Sequence, residues 1–113
     1  MKEPAIVIDG LAFYDTPSEI EGSPYWVDLW ADVNGYKIGL QIKPKSYRSC
    51  NISIYTGKAR KSYENGHKKF KDKYGGKVIV VTIDNGMVDM QSLHAIRKEI
   101  IRLGELPPGP FAT

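Results

Sequence analysis

The chain has 113 residues, enough for a single domain with a hydrophobic core, and its only cysteine, Cys50, excludes an internal disulfide framework and a cysteine-rich zinc site. The composition is typical of a soluble globular protein, no apolar stretch approaches the ~20 residues that span a bilayer, and the N-terminus lacks the apolar region of a secretory signal. We therefore expect no membrane partner and a cytoplasmic location. The formal net charge is +3, with the positive charge concentrated in the middle of the chain.

The N-terminal region predicts a strand-like segment and a short helix. Residues 5–14 are strand-like, with Asp9-Gly10 as a candidate turn. The segment Thr16-Pro17-Ser18-Glu19 has the form of a capping box with proline at the first helical position. We expect a helix of one or two turns here, carrying Glu19 and Glu21.

A β-hairpin is predicted around Asn34-Gly35, because a two-residue turn of this kind requires positive φ at both positions. If these two residues form the turn, Val33 pairs with Tyr36. Continuing that register places Asp28 opposite Gln41 and Trp26 opposite Lys43.

The two faces of this hairpin differ in polarity. One face is apolar and is predicted to be core, with Tyr25, Val27, Leu29, Ala31, Ile38, Leu40 and Ile42. The other carries Trp26, Asp28, Trp30, Asp32, Lys37, Gly39, Gln41 and Lys43. Opposed residues have Cβ atoms about 4.5–5.5 Å apart, so Asp28 and Gln41 could share one small cation. The two tryptophans either pack under a helix or flank a cleft.

The second half predicts a helix, a buried strand and another helix. Within 60–74, an apolar stripe at helical spacing contains Tyr63, His67, Phe70 and Tyr74, and we expect His67 to be a core or boundary residue. The β-branched run at 77–83 is typical of a buried strand. A last helix is predicted at 90–103, with Leu93, Ile96, Ile100 and Leu103 facing inward. A short strand is also predicted at 52–55.

The order of these elements predicts an α/β fold, in which helices pack on a mixed β-sheet. We expect one domain over residues 1–106, followed by a proline-rich tail over 107–113.

The central region is strongly basic. Residues 37–77 contain twelve lysines and arginines but only Glu64 and Asp72, a net charge of +10. Such a block favours binding to a polyanion, although a solvated lysine-rich face is a common alternative. The best candidates for phosphate contacts are Lys45, Arg48, Lys58, Arg60, Lys61, Lys68 and Lys69.

Three residues of the hairpin, Asp28, Gln41 and Lys43, have the chemistry that phosphodiester hydrolysis needs. A divalent metal neutralises the phosphate and activates a water, and oxygen atoms from side chains hold the metal. Asp28 would be the main ligand, Gln41 a weaker one through its amide oxygen, and Ile42 a third through its backbone carbonyl. Lys43 would contact the water and the scissile phosphate. The alternatives are that Asp28 is only a solvated strand residue and that Lys43 lies over Trp26.

This pattern resembles the PD-(D/E)xK nuclease superfamily, in which a hairpin brings an aspartate to an acid-x-lysine triplet. Here Asp28 and Gln41-Ile42-Lys43 match the motif, and the basic helix and the strand at 78–83 match the helix and parallel strand that come after it in the family. The chain looks most like type II restriction enzymes. The resemblance implies a restriction-endonuclease-like mixed β-sheet flanked by helices, a Mg²⁺ cofactor that Mn²⁺ could replace, cleavage of DNA, and a homodimer.

The chain departs from the family pattern in two ways. Gln41 replaces the usual acid of the triplet, and the long first helix that usually supplies another acid is short here, which leaves Glu19 or Glu21 as a candidate metal ligand. The domain is therefore expected to be a small or truncated version. Two other functions stay open: a catalytically inactive nucleic-acid-binding module of the same fold, and an interaction protein whose lysines only solubilise it.

Overall fold

The part of the chain that the structure describes forms a mixed six-stranded β-sheet with helices on both faces. The computed structural model describes residues 3–22, 25–43 and 58–111, and within helix α2 and strand β5 the side chains of 58–60 and of Asp84 are not described. In chain order the elements are β1 (Ile6–Ile8), β2 (Leu11–Asp15), α1 (Ser18–Glu21), β3 (Leu29–Val33), β4 (Tyr36–Lys43), α2 (Lys58–Tyr74), β5 (Gly75–Asp84), β6 (Met87–Val88) and α3 (Met90–Gly104).

The strands lie in the sheet in the order in which they occur along the chain. Strands β4 and β5 are parallel and are connected through α2, whereas the other neighbouring pairs are antiparallel. The predicted α/β architecture is thus confirmed. The short strand predicted at 52–55 lies outside the described residues.

The predicted hairpin and its register are confirmed between β3 and β4. Asn34 and Gly35 have φ values of 51° and 81°, as the two-residue turn requires. Val33 pairs with Tyr36, and the ladder continues in this register to Leu29 and Leu40. Local turn chemistry was sufficient to fix this part of the sheet.

Two hydrophobic cores cover the two faces of the sheet. Helix α3 packs on one face, in a core built by Ile8, Phe13, Leu29, Ala31, Ile38, Leu40, Val81, Ile96 and Leu103. Helix α2 packs on the other face, in a smaller core of Ile20, Val27, Phe70 and Tyr74 that Tyr25, Trp30, Val78 and Phe111 extend. The inward residues predicted for α3 lie in or against the first core, and Phe70 and Tyr74 of the stripe predicted for α2 lie in the second.

The prediction for the apolar hairpin face is wrong in part. Val27 is buried as predicted, but Tyr25 and Val27 belong to the core under α2, on the opposite face of the sheet from Leu29, and Ile42 is 36 % exposed. The strand periodicity fails because β3 begins only at Leu29, and Trp26 just before it adopts a left-handed conformation with φ 59°. The alternation of side chains therefore cannot be extended back beyond Leu29.

Helix α2 lies close to the polar hairpin face because Gly39 has no side chain. A Cβ atom at Gly39 would lie 2.8 Å from Cγ1 of Val27 and 3.3 Å from Cε1 of Phe70. Glycine thus permits the close approach of helix and sheet. The face that carries Gln41 is covered by α2 at this level.

The capping box predicted at Thr16 is wrong. Helix α1 begins at Ser18 after an N-cap at Pro17, and that N-cap makes no side-chain hydrogen bond. The Thr16 hydroxyl instead donates to the carbonyl oxygen of Val27 at 2.6 Å, and the Thr16 N–H donates to that of Asp28 at 3.1 Å. Thr16 therefore anchors the backbone just before β3.

Residues 107–111 of the predicted tail pack against the hairpin turn. The N–H groups of Gly109 and Phe111 donate to the carbonyl oxygens of Asn34 and Gly35, both at 2.9 Å. The Tyr36 hydroxyl donates to the carbonyl oxygen of Pro107 at 2.6 Å. These bonds join the C-terminal segment to the turn.

None of the helices in the described ranges combines the length and the apolar character required to cross a membrane.

Candidate functional site

Asp28 lies where the β3–β4 ladder ends, next to the last residues of β4. Its N–H donates to the carbonyl oxygen of Leu40 at 2.8 Å, and its Oδ2 accepts a hydrogen bond from the N–H of Ile42 at 2.7 Å. The carboxylate thus takes the place that a strand carbonyl would otherwise have beside Ile42. Because Asp28 is only partly buried, its other oxygen can still meet a ligand.

The predicted pairing of Asp28 with Gln41 is replaced by a contact with Ile42. The regular ladder stops at Leu29 and Leu40, and the N–H of Asp28 reaches Leu40 rather than Gln41. Asp28 nevertheless lies beside the triplet Gln41-Ile42-Lys43, because its carboxylate accepts a hydrogen bond from the N–H of the middle residue, Ile42. The pairing of Trp26 with Lys43 is also absent from the β3–β4 ladder.

Gln41 is buried on the face of β4 that α2 covers. It is only 5 % exposed, although it is a polar residue near the end of a strand. In the described part of the chain its Oε1 has no hydrogen-bond partner. Buried amide oxygens are rarely left without a donor, so this atom requires an explanation.

Lys43 extends toward α2 and lies over an aromatic ring. Its Nζ is 4.2 Å from the ring centroid of Tyr63, which meets Trp26 edge to face at 5.5 Å between centroids. The alternative was that Lys43 lies over Trp26. In the structure Lys43 lies over Tyr63, whose ring contacts that of Trp26. A cation–π contact of about 0.5–1 kcal/mol at such a site is too weak to prevent the ammonium group from meeting a phosphate.

His67 lies on the stripe of α2 that faces the sheet, as the spacing predicts. Burial lowers the pKa of His67 below its ordinary value, and the positive charge of Lys43 acts in the same direction. A hydrogen bond with the main chain of Trp26 and the charge of Glu64 partly oppose that shift. The imidazole is therefore neutral at neutral pH, and the sequence did not predict its contact with Trp26.

The two acidic residues of α1 lie on the surface. Glu19 and Glu21 are exposed, whereas Ile20 between them is buried under α2. Among the described residues, neither carboxylate makes a hydrogen bond or an ion pair with Asp28. Across those same residues, no group of three histidine, cysteine, aspartate or glutamate side chains could hold a metal. A metal at this site would therefore need the amide and carbonyl oxygens that the sequence proposed.

The basic residues of α2 form an exposed surface. Lys61, Lys68 and Lys69, all predicted phosphate contacts, are exposed on the helix. Lys58 and Arg60 lie in the first turn of α2, where side chains are not described, and Lys45 and Arg48 lie outside the described residues. Lys71 and Lys73, which were not among the predicted contacts, extend the exposed set.

Asp89 has a strongly lowered pKa, and sequence reasoning did not single it out. Burial alone would raise its pKa, but hydrogen bonds from Ser92 and Thr82 outweigh this effect and lower the pKa to about 2. Its carboxylate accepts from the N–H of Ser92 at 3.0 Å and from the Thr82 hydroxyl at 3.0 Å. Aspartate directly before a predicted helix is the N-cap signal that could have identified it.

Comparisons with known proteins add no assignment. No family model, no curated protein and no solved structure matches this chain.

Proposed function

We propose that the protein is a metal-dependent DNA endonuclease of the restriction-endonuclease-like type, with its site at Asp28, Gln41, Ile42 and Lys43. The observation that carries this proposal is the 2.7 Å hydrogen bond from Ile42 N–H to Asp28 Oδ2, which holds the carboxylate beside the triplet. The site lies at the end of β4, and ligands of α/β sheets commonly bind beyond the carboxyl ends of parallel strands.

The donor atoms fit a hard divalent cation. Asp28 offers a carboxylate, Gln41 the oxygen of its side-chain amide, and Ile42 a backbone carbonyl beside the Asp28 carboxylate. Mg²⁺ prefers oxygen ligands and commonly binds through one or two carboxylates together with waters and substrate phosphates. Mn²⁺ would take the same ligands. When bound, the ion neutralises phosphate charge and activates a water.

The remaining roles belong to Lys43 and the basic helix. Lys43 would orient the attacking water and contact the scissile phosphate, moving off the Tyr63 ring as the substrate enters. The exposed lysines of α2 would bind phosphates away from the cleaved bond, which positions the DNA without reading its sequence. Cutting both strands would require two such sites, and hence a homodimer.

A test of the Lys43 role compares two lysines of the same strand. Purified protein with supercoiled plasmid and Mg²⁺ should produce nicked or linear DNA, and Lys43→Ala should reduce the rate about 100-fold or more. Lys37→Ala is the matched control, because Lys37 also lies over a ring, that of Trp30 at 4.6 Å, but at the opposite end of β4. Full cleavage by Lys43→Ala would contradict the proposed role.

A second candidate function is a nucleic-acid-binding module without catalysis. The observation that favours it is that Gln41, the neutral residue of the triplet, is 5 % exposed and covered by α2, whereas the lysines of that helix are exposed. Such a module would bind DNA with a strong dependence on salt and would cleave nothing in Mg²⁺ or Mn²⁺. Cleavage stimulated by Mn²⁺ would exclude it.

A further inference from the structure

In the described part of the chain, two buried polar atoms without hydrogen-bond partners occur on β4 and α2. They are Oε1 of Gln41 and Nε2 of His67, and within the ranges 3–22, 25–43 and 58–111 they are the buried side-chain polar atoms that lack a hydrogen bond. Native proteins leave few such atoms, and two of them on facing elements point to a common cause.

Contacts on either side bring Gln41 and His67 to the same level. Phe70 of α2 packs against Gly39 of β4, and Tyr63 of α2 lies under the ammonium group of Lys43. Gln41 is midway between those two β4 positions and points to the same face. His67 is three residues before Phe70 and four after Tyr63, on the same stripe of the helix. The two side chains therefore face each other.

The position of the imidazole proton is set by the main-chain contact. His67 makes a hydrogen bond with the backbone of Trp26, and this bond must involve Nδ1 because Nε2 has no partner in the described part of the chain. A neutral imidazole that donates from Nδ1 to a carbonyl oxygen presents a lone pair at Nε2. The group opposite Nε2 should then be a donor.

Gln41 can supply that donor without moving its backbone. A half-turn of the amide exchanges its oxygen and its NH₂ group. With the nitrogen in the buried position, the amide donates to His67, and its oxygen is left on the other side of the amide. This one rotation gives Nε2 of His67 a donor and leaves the amide oxygen of Gln41 facing away from His67.

We propose that His67 is a positioning residue for Gln41: the side-chain amide nitrogen of Gln41 donates to Nε2 of His67, and this bond fixes the direction of the amide oxygen. A chain of bonds then runs from the Trp26 carbonyl through His67 to Gln41. The consequence for the metal rests on the proposed function, in which this oxygen is a ligand. Outer-shell partners of this kind orient ligands before the metal binds.

The hydrogen bond is tested first, without any activity. Long-range ¹H–¹⁵N NMR spectra report the tautomer of each histidine, and His94, exposed on α3, is the internal reference because the chain has 2 histidines. We expect the Nδ1–H tautomer for His67 at neutral pH, and a Gln41 amide proton shifted downfield that returns to an ordinary position in His67→Phe. An Nε2–H tautomer of His67 would overturn the proposal, and this spectrum decides it even where His67→Phe does not fold.

The consequence at the metal is tested by Mn²⁺ titration of the wild type, His67→Phe and His67→Gln. We expect His67→Phe to weaken Mn²⁺ binding about tenfold. His67→Gln keeps an acceptor and should restore most of the affinity, and His94→Phe is the matched control. Equal affinity of the wild type and His67→Phe would overturn the positioning role and leave the proposed function standing. Failure of the wild type to bind Mn²⁺ would overturn the proposed function, while the NMR spectrum still decides the hydrogen bond.

Discussion

At the scale of single residues, Asp28 has a structural role and a proposed catalytic role on the same carboxylate. One oxygen satisfies the Ile42 N–H where the β3–β4 ladder ends, and this bond holds whether or not a metal is present. A neutral hydrogen-bond acceptor can fulfil the first role. The second role, that of the charged metal ligand, requires the carboxylate of Asp28. The two roles can therefore be separated by one substitution.

We predict that Asp28→Asn keeps the fold and loses activity. The amide oxygen of asparagine can still accept from Ile42, so the change in stability should stay within about 1 kcal/mol. Loss of the charged ligand should reduce plasmid cleavage about 100-fold or more. Thermal unfolding and a cleavage assay on the same preparation measure both. An active Asp28→Asn variant would show that Asp28 only supports the backbone.

Asp89 is a residue to which we assign a structural role. It caps α3 and accepts hydrogen bonds from Thr82 and Ser92, which are 6 % and 1 % exposed. Asp89→Ala should lower the free energy of unfolding by about 2–4 kcal/mol, because loss of a cap costs about 1 kcal/mol and the buried donors lose their acceptor. Urea unfolding measures this difference, and Asp89→Asn, which keeps one acceptor, should lose less.

The pH dependence of stability gives a second test of Asp89. Its pKa is about 2 in the folded protein and 3.8 as the ordinary value, so the unfolded state binds the proton more readily. The stabilisation should be complete above pH 3.8 and should be lost as the pH falls through about 2. The difference in unfolding free energy between the wild type and Asp89→Ala should therefore shrink over that window. A difference that stays constant there would contradict this assignment.

At the scale of the elements, α2 combines a buried apolar stripe with an exposed basic surface. Phe70 and Tyr74 are buried against the sheet, while the lysines Lys61, Lys68, Lys69, Lys71 and Lys73 are exposed. Helix α3 covers the opposite face of the sheet. A polyanion bound along α2 would therefore leave α3 untouched.

We predict that lysines of α2 set the salt dependence of DNA binding. Each phosphate contact contributes about 0.9 to the slope of log K against log salt concentration on duplex DNA, so the double variant Lys68→Gln and Lys69→Gln should reduce that slope by about 1–2. Fluorescence anisotropy at several salt concentrations measures it. Lys98→Gln removes an exposed charge from α3 as the control. Equal slopes for the double variant and the wild type would remove α2 from the interface.

Sequence reasoning succeeded for elements specified by neighbouring residues and failed where distant contacts decide the backbone. The Asn34-Gly35 turn fixed the β3–β4 register, and the spacing of Phe70 and Tyr74 fixed the inward face of α2. The departure of the backbone from strand geometry before β3 could not be predicted. Trp26, with φ 59°, contacts residues of α2 that lie far along the chain. Its indole donates to the Ser62 hydroxyl at 3.2 Å, and its main chain meets His67.

At the scale of the whole molecule, the candidate site lies where the covered and the exposed parts of the sheet meet. Gln41 is buried under α2, Lys43 is half-buried, and Ile42 is 36 % exposed on the other side of β4. Asp28 contacts this segment from the adjacent strand end. The site is thus accessible at one edge and supported by packing behind it, and the basic surface of α2 lies on the same side of the sheet as Gln41.

Cleavage of supercoiled plasmid by the wild-type protein, with Mg²⁺, with Mn²⁺ and with a chelator, is the decisive assay for the proposed endonuclease. We expect nicked or linear product with either metal and none with the chelator, and linear product from the first turnovers would further indicate a homodimer that cuts both strands. DNA that is bound at low salt but stays supercoiled with both metals would contradict the proposed activity.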